Sequence, residues 1–232
     1  MVSSKGQIRP FLEEIHNAAQ HILLHAKKEN IILVISHMDA DGISGAGIIG
    51  VALSRLQIPF RIRVERWFDT KVVESIAVER KALTVLTDMG SGYLDIINEK
   101  VKGKPLIILD HHQPIGESED NFIHVNPHVF GFDGARDISG AGIAYLIAKA
   151  ISEENRDLAF LGVVGALGDM QDKNKERSLG GINQLIVEDA INSGKLETMT
   201  DLIFFWSRNT SNSQSFGVYN QSCYSRYKWR RR

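Results

Sequence analysis

Eight side chains in this sequence have the chemistry of divalent-metal ligands: His37, Asp39, Asp41, Asp88, Asp110, His111, His112 and Asp169. They arrive in four groups, within Ser36-His37-Met38-Asp39-Ala40-Asp41-Gly42, Thr87-Asp88-Met89-Gly90, Asp110-His111-His112 and Gly168-Asp169. Imidazole nitrogens and carboxylate oxygens without thiolates favour Mn²⁺ or Mg²⁺ over Zn²⁺. The lone cysteine, Cys223, makes neither a thiolate site nor a disulfide framework. Carboxylates crowded into one pocket repel one another, and two divalent cations would neutralise them. Two ions roughly 3.5–4 Å apart suit in-line displacement at phosphorus. One carboxylate must then bridge the ions from a central strand, and Asp88, alone at its strand end, is the natural choice.

Such groups need a scaffold that gathers them. Three apolar runs each end in the ligand types: Ile31 to Ser36 leads into His37, Ala82 to Thr87 into Asp88, and Pro105 to Leu109 into Asp110. Runs apolar on both faces are the mark of central parallel strands. Between them lie helical patterns, with helices expected over Ile8–Asn30, Gly42–Leu56, a stretch around Val72–Ala77, and Tyr93–Glu99. Pro59 to Glu65 alternates like a strand nearer an edge, and Phe122 to Val125 reads as a further short strand. Helices are expected again at Ser139–Ser152, Asp157–Leu167 and Ile182–Ile191, the second delivering Asp169. Alternation of this kind predicts an α/β fold, a mainly parallel sheet with helices on both faces. Ligands bind such sheets beyond the carboxyl ends of the strands, so the predicted metal site lies at that edge.

The 232 residues allow one large domain, or one domain plus appendages, and 43% apolar content is enough for a core. A formal net charge of -1 points to neither nucleic acid nor membrane. The chain shows no secretory pattern and no apolar run of membrane-spanning length, so the expectation is a soluble, cytoplasmic protein with no membrane partner. From Ser207 to Arg232 there is no Asp or Glu, while Arg208, Arg226, Lys228 and Arg230–Arg232 are basic. The expected organisation is a packed N-terminal helix over 1–30, the ligand-bearing domain over 31–200, and a basic, aromatic tail without packed structure over 201–232.

The four groups, in this order and rough spacing, resemble the motifs of the DHH phosphoesterase superfamily, and the resemblance covers about Asn30 to Gly181. His-Met-Asp-Ala-Asp-Gly at the first motif, Thr-Asp-Met-Gly at the second, Asn126-Pro127-His128 after the third, and Ser139-Gly140-Ala141-Gly142 are most similar to archaeal RecJ-like nucleases. These include the GINS-associated nuclease, a relative of the replication factor Cdc45. The resemblance implies that His37, Asp39 and Asp88 hold one ion, and that Asp41, Asp88, His111 and Asp169 hold the other. It implies a catalytic pair in which Asp110 orients an imidazole and His112 faces the scissile phosphate. His128, Arg136, Ser139 and Gly140 are then candidates for contacting substrate. The expected activity is a two-metal (Mn²⁺ or Mg²⁺) exonuclease on single-stranded DNA or RNA, with GINS-type replication proteins as partners. The alternatives are a phosphoesterase of small substrates (nano-RNA, cyclic dinucleotide, 3′-phosphonucleotide or pyrophosphate) and an inactive Cdc45-like scaffold. Family members carry a second, substrate-gripping domain after the fourth motif, which is expected to be missing here.

One rival pattern fails on placement. Gly45-Ala46-Gly47-Ile48-Ile49-Gly50 matches a dinucleotide fingerprint, but that motif needs its first glycine at the strand-to-helix turn. Asp39 and Asp41 occupy that turn, where bare carboxylates repel a pyrophosphate. His21 and His25 share a helix face, but no acid completes a ligand set, and a solvated face is expected.

Overall fold

The computed structural model describes residues 4–26, 31–79, 83–119, 122–174, 177–201 and 224–229. Five strands form one parallel sheet: β1 (Ile32–His37), β2 (Phe60–Glu65), β3 (Leu83–Thr87), β4 (Leu106–Leu109) and β5 (Ile123–Val125), in the order β2-β1-β3-β4-β5. The residues of β3 and β4 are all buried and those of β1 nearly so, whereas β2, at the edge, is partly exposed along its length. This separates strands that are apolar on both faces from the alternating one.

Alternation along the strands divides the core in two. Ile32, Val34, Val85, Ile107 and Val125 face one layer, and Leu33, Ile35, Leu86, Leu106 and Ile108 face the other. The first layer contains α1 (Ser4–Ala26), α2 (Ala40–Arg55), α5 (Gly140–Ile151), α6 (Ala159–Gly168) and α7 (Asn183–Asn192); the second contains α3 (Thr70–Val78) and α4 (Leu94–Lys100). The expected α/β fold with helices on both faces is therefore the fold observed. The strand order reverses direction between β1 and β3. At such a switch point the connecting loops part and leave a crevice at the carboxyl edge. His37 ends β1 and Asp88 follows β3, so both stand at that crevice.

Three helices meet there through small residues. A methyl group on Gly165 of α6 would collide with Asp41 Oδ1 of α2, and would also meet Ala141 of α5. Hydrogen at this position lets the helices approach until Asp41 is enclosed, and Asp41 is fully buried.

The C-terminal part departs from the expectation of an unstructured tail. β6 (Leu196–Asp201) pairs antiparallel with β7 (Tyr224–Trp229). Tyr224, Tyr227 and Trp229 are strong strand formers, but β-propensity acts only when a partner strand is present. A local pattern does not reveal that partner. The rest of the expected tail, 202–223 and 230–232, lies outside the described residues. Among the described residues, no helix is long and apolar enough to cross a membrane.

Candidate metal centre

Each ligand-type side chain is set by the end of an element. Asp39 caps α2: its Oδ1 accepts from Gly42 N at 2.9 Å, while its Oδ2 lies 2.8 Å from His37 Nδ1. Burial raises the Asp39 pKa, but the Gly42 N–H, together with Asp88 and His37, more than offsets this and holds it below the usual carboxylate value. Two residues on, Asp41 faces the N-terminus of α5. Gly140 N donates to its Oδ2 at 2.7 Å and Ala141 N to its Oδ1 at 2.9 Å. The next donor, Gly142 N, is taken by Ser139 Oγ at 3.1 Å. The positive end of the α5 dipole thus holds a carboxylate of a different helix. Burial still wins, and the Asp41 pKa is raised.

Asp88 turns the chain sharply after β3. Its φ is 61°, in the left-handed region that Asp and Asn tolerate better than other side chains do. The turn points its carboxylate at the crevice, where it is almost wholly buried. Oδ1 lies 3.1 Å from His111 Nε2, whereas Oδ2 has no hydrogen-bond partner and is 3.5 Å from His37 Nδ1. Burial, reinforced by Asp41 and Asp110, pushes the Asp88 pKa up to about 9 against the pull of His111.

The Asp110-His111-His112 run sends its side chains to different places. His111 Nδ1 donates to the Gly134 carbonyl at 2.7 Å. Its Nε2 faces Asp88 Oδ1 at 3.1 Å, Asp169 Oδ2 at 3.0 Å and Asp41 Oδ2 at 3.6 Å. Burial lowers the His111 pKa, but the surrounding carboxylates override it and push the value up to about 12. Asp110 lies beneath, with Oδ1 2.7 Å from His112 Nδ1 and Oδ2 accepting from Ser91 N at 2.8 Å. Its burial raises the pKa, but His112 leads the opposing partners and holds it well below the ordinary range. The same pair raises the His112 pKa, and His112 stands half-exposed above it.

The predicted ligands therefore converge. His37, Asp39 and Asp88 present donor atoms within 4.8 Å of one another, and so do Asp41, Asp88, His111 and Asp169. Asp88 belongs to both sets. The donors are hard oxygens with imidazole nitrogen, and one buried oxygen has no partner. Both features fit a divalent cation, because a carboxylate oxygen removed from water without a compensating bond is costly. The cluster is one that could hold a metal.

The predicted substrate contacts are placed less uniformly. Ser139 and Gly140 are fully or nearly fully enclosed, and their polar groups are engaged on α5 and Asp41. His128 stands against Gly134, so it borders the His111 support. Arg136 is largely exposed and lies 3.6 Å from Asp133.

Several supporting residues had no signal in the sequence as ligands. Gln171 donates to the same Gly134 carbonyl at 2.9 Å and is itself held by Asn183 at 2.6 Å. Asn126 donates to both Ser91 Oγ and the His112 carbonyl, each at 2.9 Å. Such outer partners fix ring orientation and tautomer in metal sites. They act through backbone carbonyls, which any residue type supplies.

Residues 31–165 match the DHH family, N-terminal domain, and this span carries all but the last of these ligands. An uncharacterized protein of Methanocaldococcus jannaschii is 37% identical over 180 residues, 75% of this chain and 40% of that protein. The single-stranded-DNA-specific exonuclease RecJ of Bacillus subtilis is 24% identical over 189 residues, 76% of this chain and 24% of that protein. The chain thus spans less than half the length of these relatives. In fold it is similar to RecJ from Thermus thermophilus, a structure in complex with Mn²⁺, with a TM-score of 0.60 at 22% identity, covering 83% of this chain and 27% of that one. With the matched span, the parallel sheet and the four motifs converging at its carboxyl edge, the chain belongs to the DHH family.

Proposed function

We propose that this protein is a metal-dependent phosphodiesterase that shortens single-stranded nucleic acid in the manner of RecJ. The observation that carries the reading is the carboxylate shared between two ligand sets, with one of its buried oxygens unpartnered. In this reading His37, Asp39 and Asp88 hold one Mn²⁺ or Mg²⁺, and Asp41, Asp88, His111 and Asp169 hold a second. Bound ions supply Lewis acidity toward a phosphoryl oxygen and offset the carboxylate charge.

The remaining work falls to the chain itself. Asp110 accepts from His112 Nδ1, which leaves Nε2 as the ring nitrogen facing outward. The Asp110 carboxylate raises the His112 pKa and favours the protonated ring, in which Nε2–H is placed to donate to a phosphoryl oxygen or the departing sugar oxygen. Asn126 holds the His112 backbone, so the ring is aimed from both ends. Gly134 and Gln171 fix His111 with Nε2 toward the cluster. The likeness to RecJ, a single-stranded-DNA-specific exonuclease, supports a single strand as the substrate class.

The test is a substrate panel with Mn²⁺ and with Mg²⁺: end-labelled single strands, dinucleotides and pyrophosphate. Shortening of single strands is the expected result, with the activity lost in Asp88→Asn. Hydrolysis confined to dinucleotides or pyrophosphate would replace the nuclease by a small-substrate phosphoesterase. No hydrolysis of any member by metal-loaded protein would overturn the enzymatic reading.

A further inference from the structure

The segment after β2 carries groups that the metal centre does not use. In the parallel pairing of β1 with β2, His37 lies opposite Glu65. Arg66 and Trp67 follow Glu65 directly, so they extend past the same carboxyl edge, one strand over from the His37–Asp39–Asp88 set. Neighbouring strands are about 4.8 Å apart and each residue of a strand advances about 3.3 Å, which puts the Trp67 backbone roughly 8 Å from the His37 backbone.

Trp67 is 69% exposed. A large indole left in water at a strand end is unusual for packing, since burying it would be favourable. The Arg66 guanidinium lies over its ring, 5.6 Å from the centroid. A cleft of about 340 Å³ opens beside it, lined by Arg63, Arg66, Trp67 and Lys71 along with Glu65 and Asp69. On the far side of β1, Tyr93 follows β3 and is also partly exposed. It makes an edge-to-face contact with Phe68, centroids 5.4 Å apart, which ties the segment after β2 to the turn after β3. Phe68 is buried and anchors the segment, while Trp67 beside it stays exposed.

We propose that Trp67 is a stacking platform for a nucleobase of the bound strand, a nucleotide or two from the phosphate held at the metal centre. Arg66, with Lys71 beside it, supplies positive charge to the adjoining phosphates. This rests on the phosphodiesterase reading and deepens it. The chemistry selects substrates that carry a base at that distance, in any sequence, because every base has a π-face. Pyrophosphate has no base and gains nothing from the platform.

The experiment is fluorescence anisotropy of a labelled oligothymidylate with intact protein in Ca²⁺, comparing wild type, Trp67→Ala and Trp67→Phe. The substituted ring is exposed, and circular dichroism checks that the variants fold. Loss of one stacked base weakens binding roughly 5- to 100-fold in Trp67→Ala, and Trp67→Phe restores most of it. A scan of single abasic positions along the oligonucleotide sharpens the assignment. One position should weaken wild-type binding and leave Trp67→Ala unaffected. Oligonucleotide binding equal in wild type and Trp67→Ala overturns the platform while leaving the phosphodiesterase intact. A wild type that binds no single strand overturns the nuclease reading on which the platform rests.

Discussion

Loading the cluster with a divalent cation should expel protons, and their number follows from the geometry. Both ring nitrogens of His111 face acceptors. Nδ1 meets the Gly134 carbonyl, and Nε2 lies between carboxylate oxygens of Asp88 and Asp169 at 3.1 and 3.0 Å. A neutral imidazole has one N–H and would need an O–H from a protonated carboxylate to satisfy the other side. The surrounding carboxylates favour the imidazolium, with a pKa pushed up to about 12. A second proton is retained among the buried carboxylates, since burial and neighbouring charge push Asp88 to about 9. The pair titrates as a unit, so the count belongs to the cluster. Cations and protons compete for the same lone pairs. Both pKa values are raised, so loading is weakest in acid and strengthens as pH climbs, most steeply below about 9. About two protons should leave near neutrality, and apparent affinity should rise up to roughly 100-fold per pH unit. Calorimetric titration with Mn²⁺, in buffers of different ionisation enthalpy, measures the release directly. Zero net protons, together with an affinity flat between about pH 6.5 and 8.5, would refute the imidazolium assignment and the ligand role of His111.

Further outcomes are specific to single residues. Asp88→Asn keeps a side chain that tolerates φ of 61° and removes a buried carboxylate. Melting of the metal-free protein should hold or rise slightly, while Mn²⁺ affinity by electron paramagnetic resonance falls by more than about 100-fold, beyond the range of an outer-partner loss. Gly134→Ala would drive a methyl into the His111 carbonyl and against His128, so a loss of roughly 1–3 kcal/mol in denaturant melts is expected, with weaker metal uptake. Asn126→Ala leaves Ser91 and the His112 carbonyl short of a donor and should cost about 2 kcal/mol or more. Arg55→Ala removes a two-point pair with Asp157, both bonds 2.8 Å, at a half-exposed site. Its cost should be about 1 kcal/mol and shrink in high salt. Arg55 lowers the Asp157 pKa, so this increment is full above the unfolded value, about 4, and fades as pH falls below it.

The sheet was legible because its central strands are buried on both faces. A run such as Leu106-Ile107-Ile108-Leu109 has no solvated side to disguise it. The ligands were legible because Asp and His at the end of such a run contribute little to packing and are costly to bury unpaired. What escaped the sequence reading depends on backbone groups. The Gly134 carbonyl that orients His111 has no side chain to announce it. Gln171 and Asn126 look like ordinary polar loop residues until their partners are known. Ser139 and Gly140 are expected near substrate, and the hydrogen bonds they make serve α5 and Asp41, a contact 99 residues apart in the chain for Gly140 and Asp41. Trp67 sits in a stretch with no periodicity to mark it, and only its exposure sets it apart. The β6–β7 pairing joins segments too distant for a local pattern to couple.

The seam of Gly140, Ala141 and Gly165 around Asp41 ties two properties that most proteins keep apart. The same close approach that seals three helices also aims a carboxylate. Bulkier side chains introduced there to raise thermal tolerance would dislodge the oxygen atoms proposed to grip a cation. Durability in this molecule therefore has to be engineered elsewhere, at the outer helix surfaces or the exposed sheet margin. Cation uptake, in turn, serves as a sensitive gauge of whether that joint has closed.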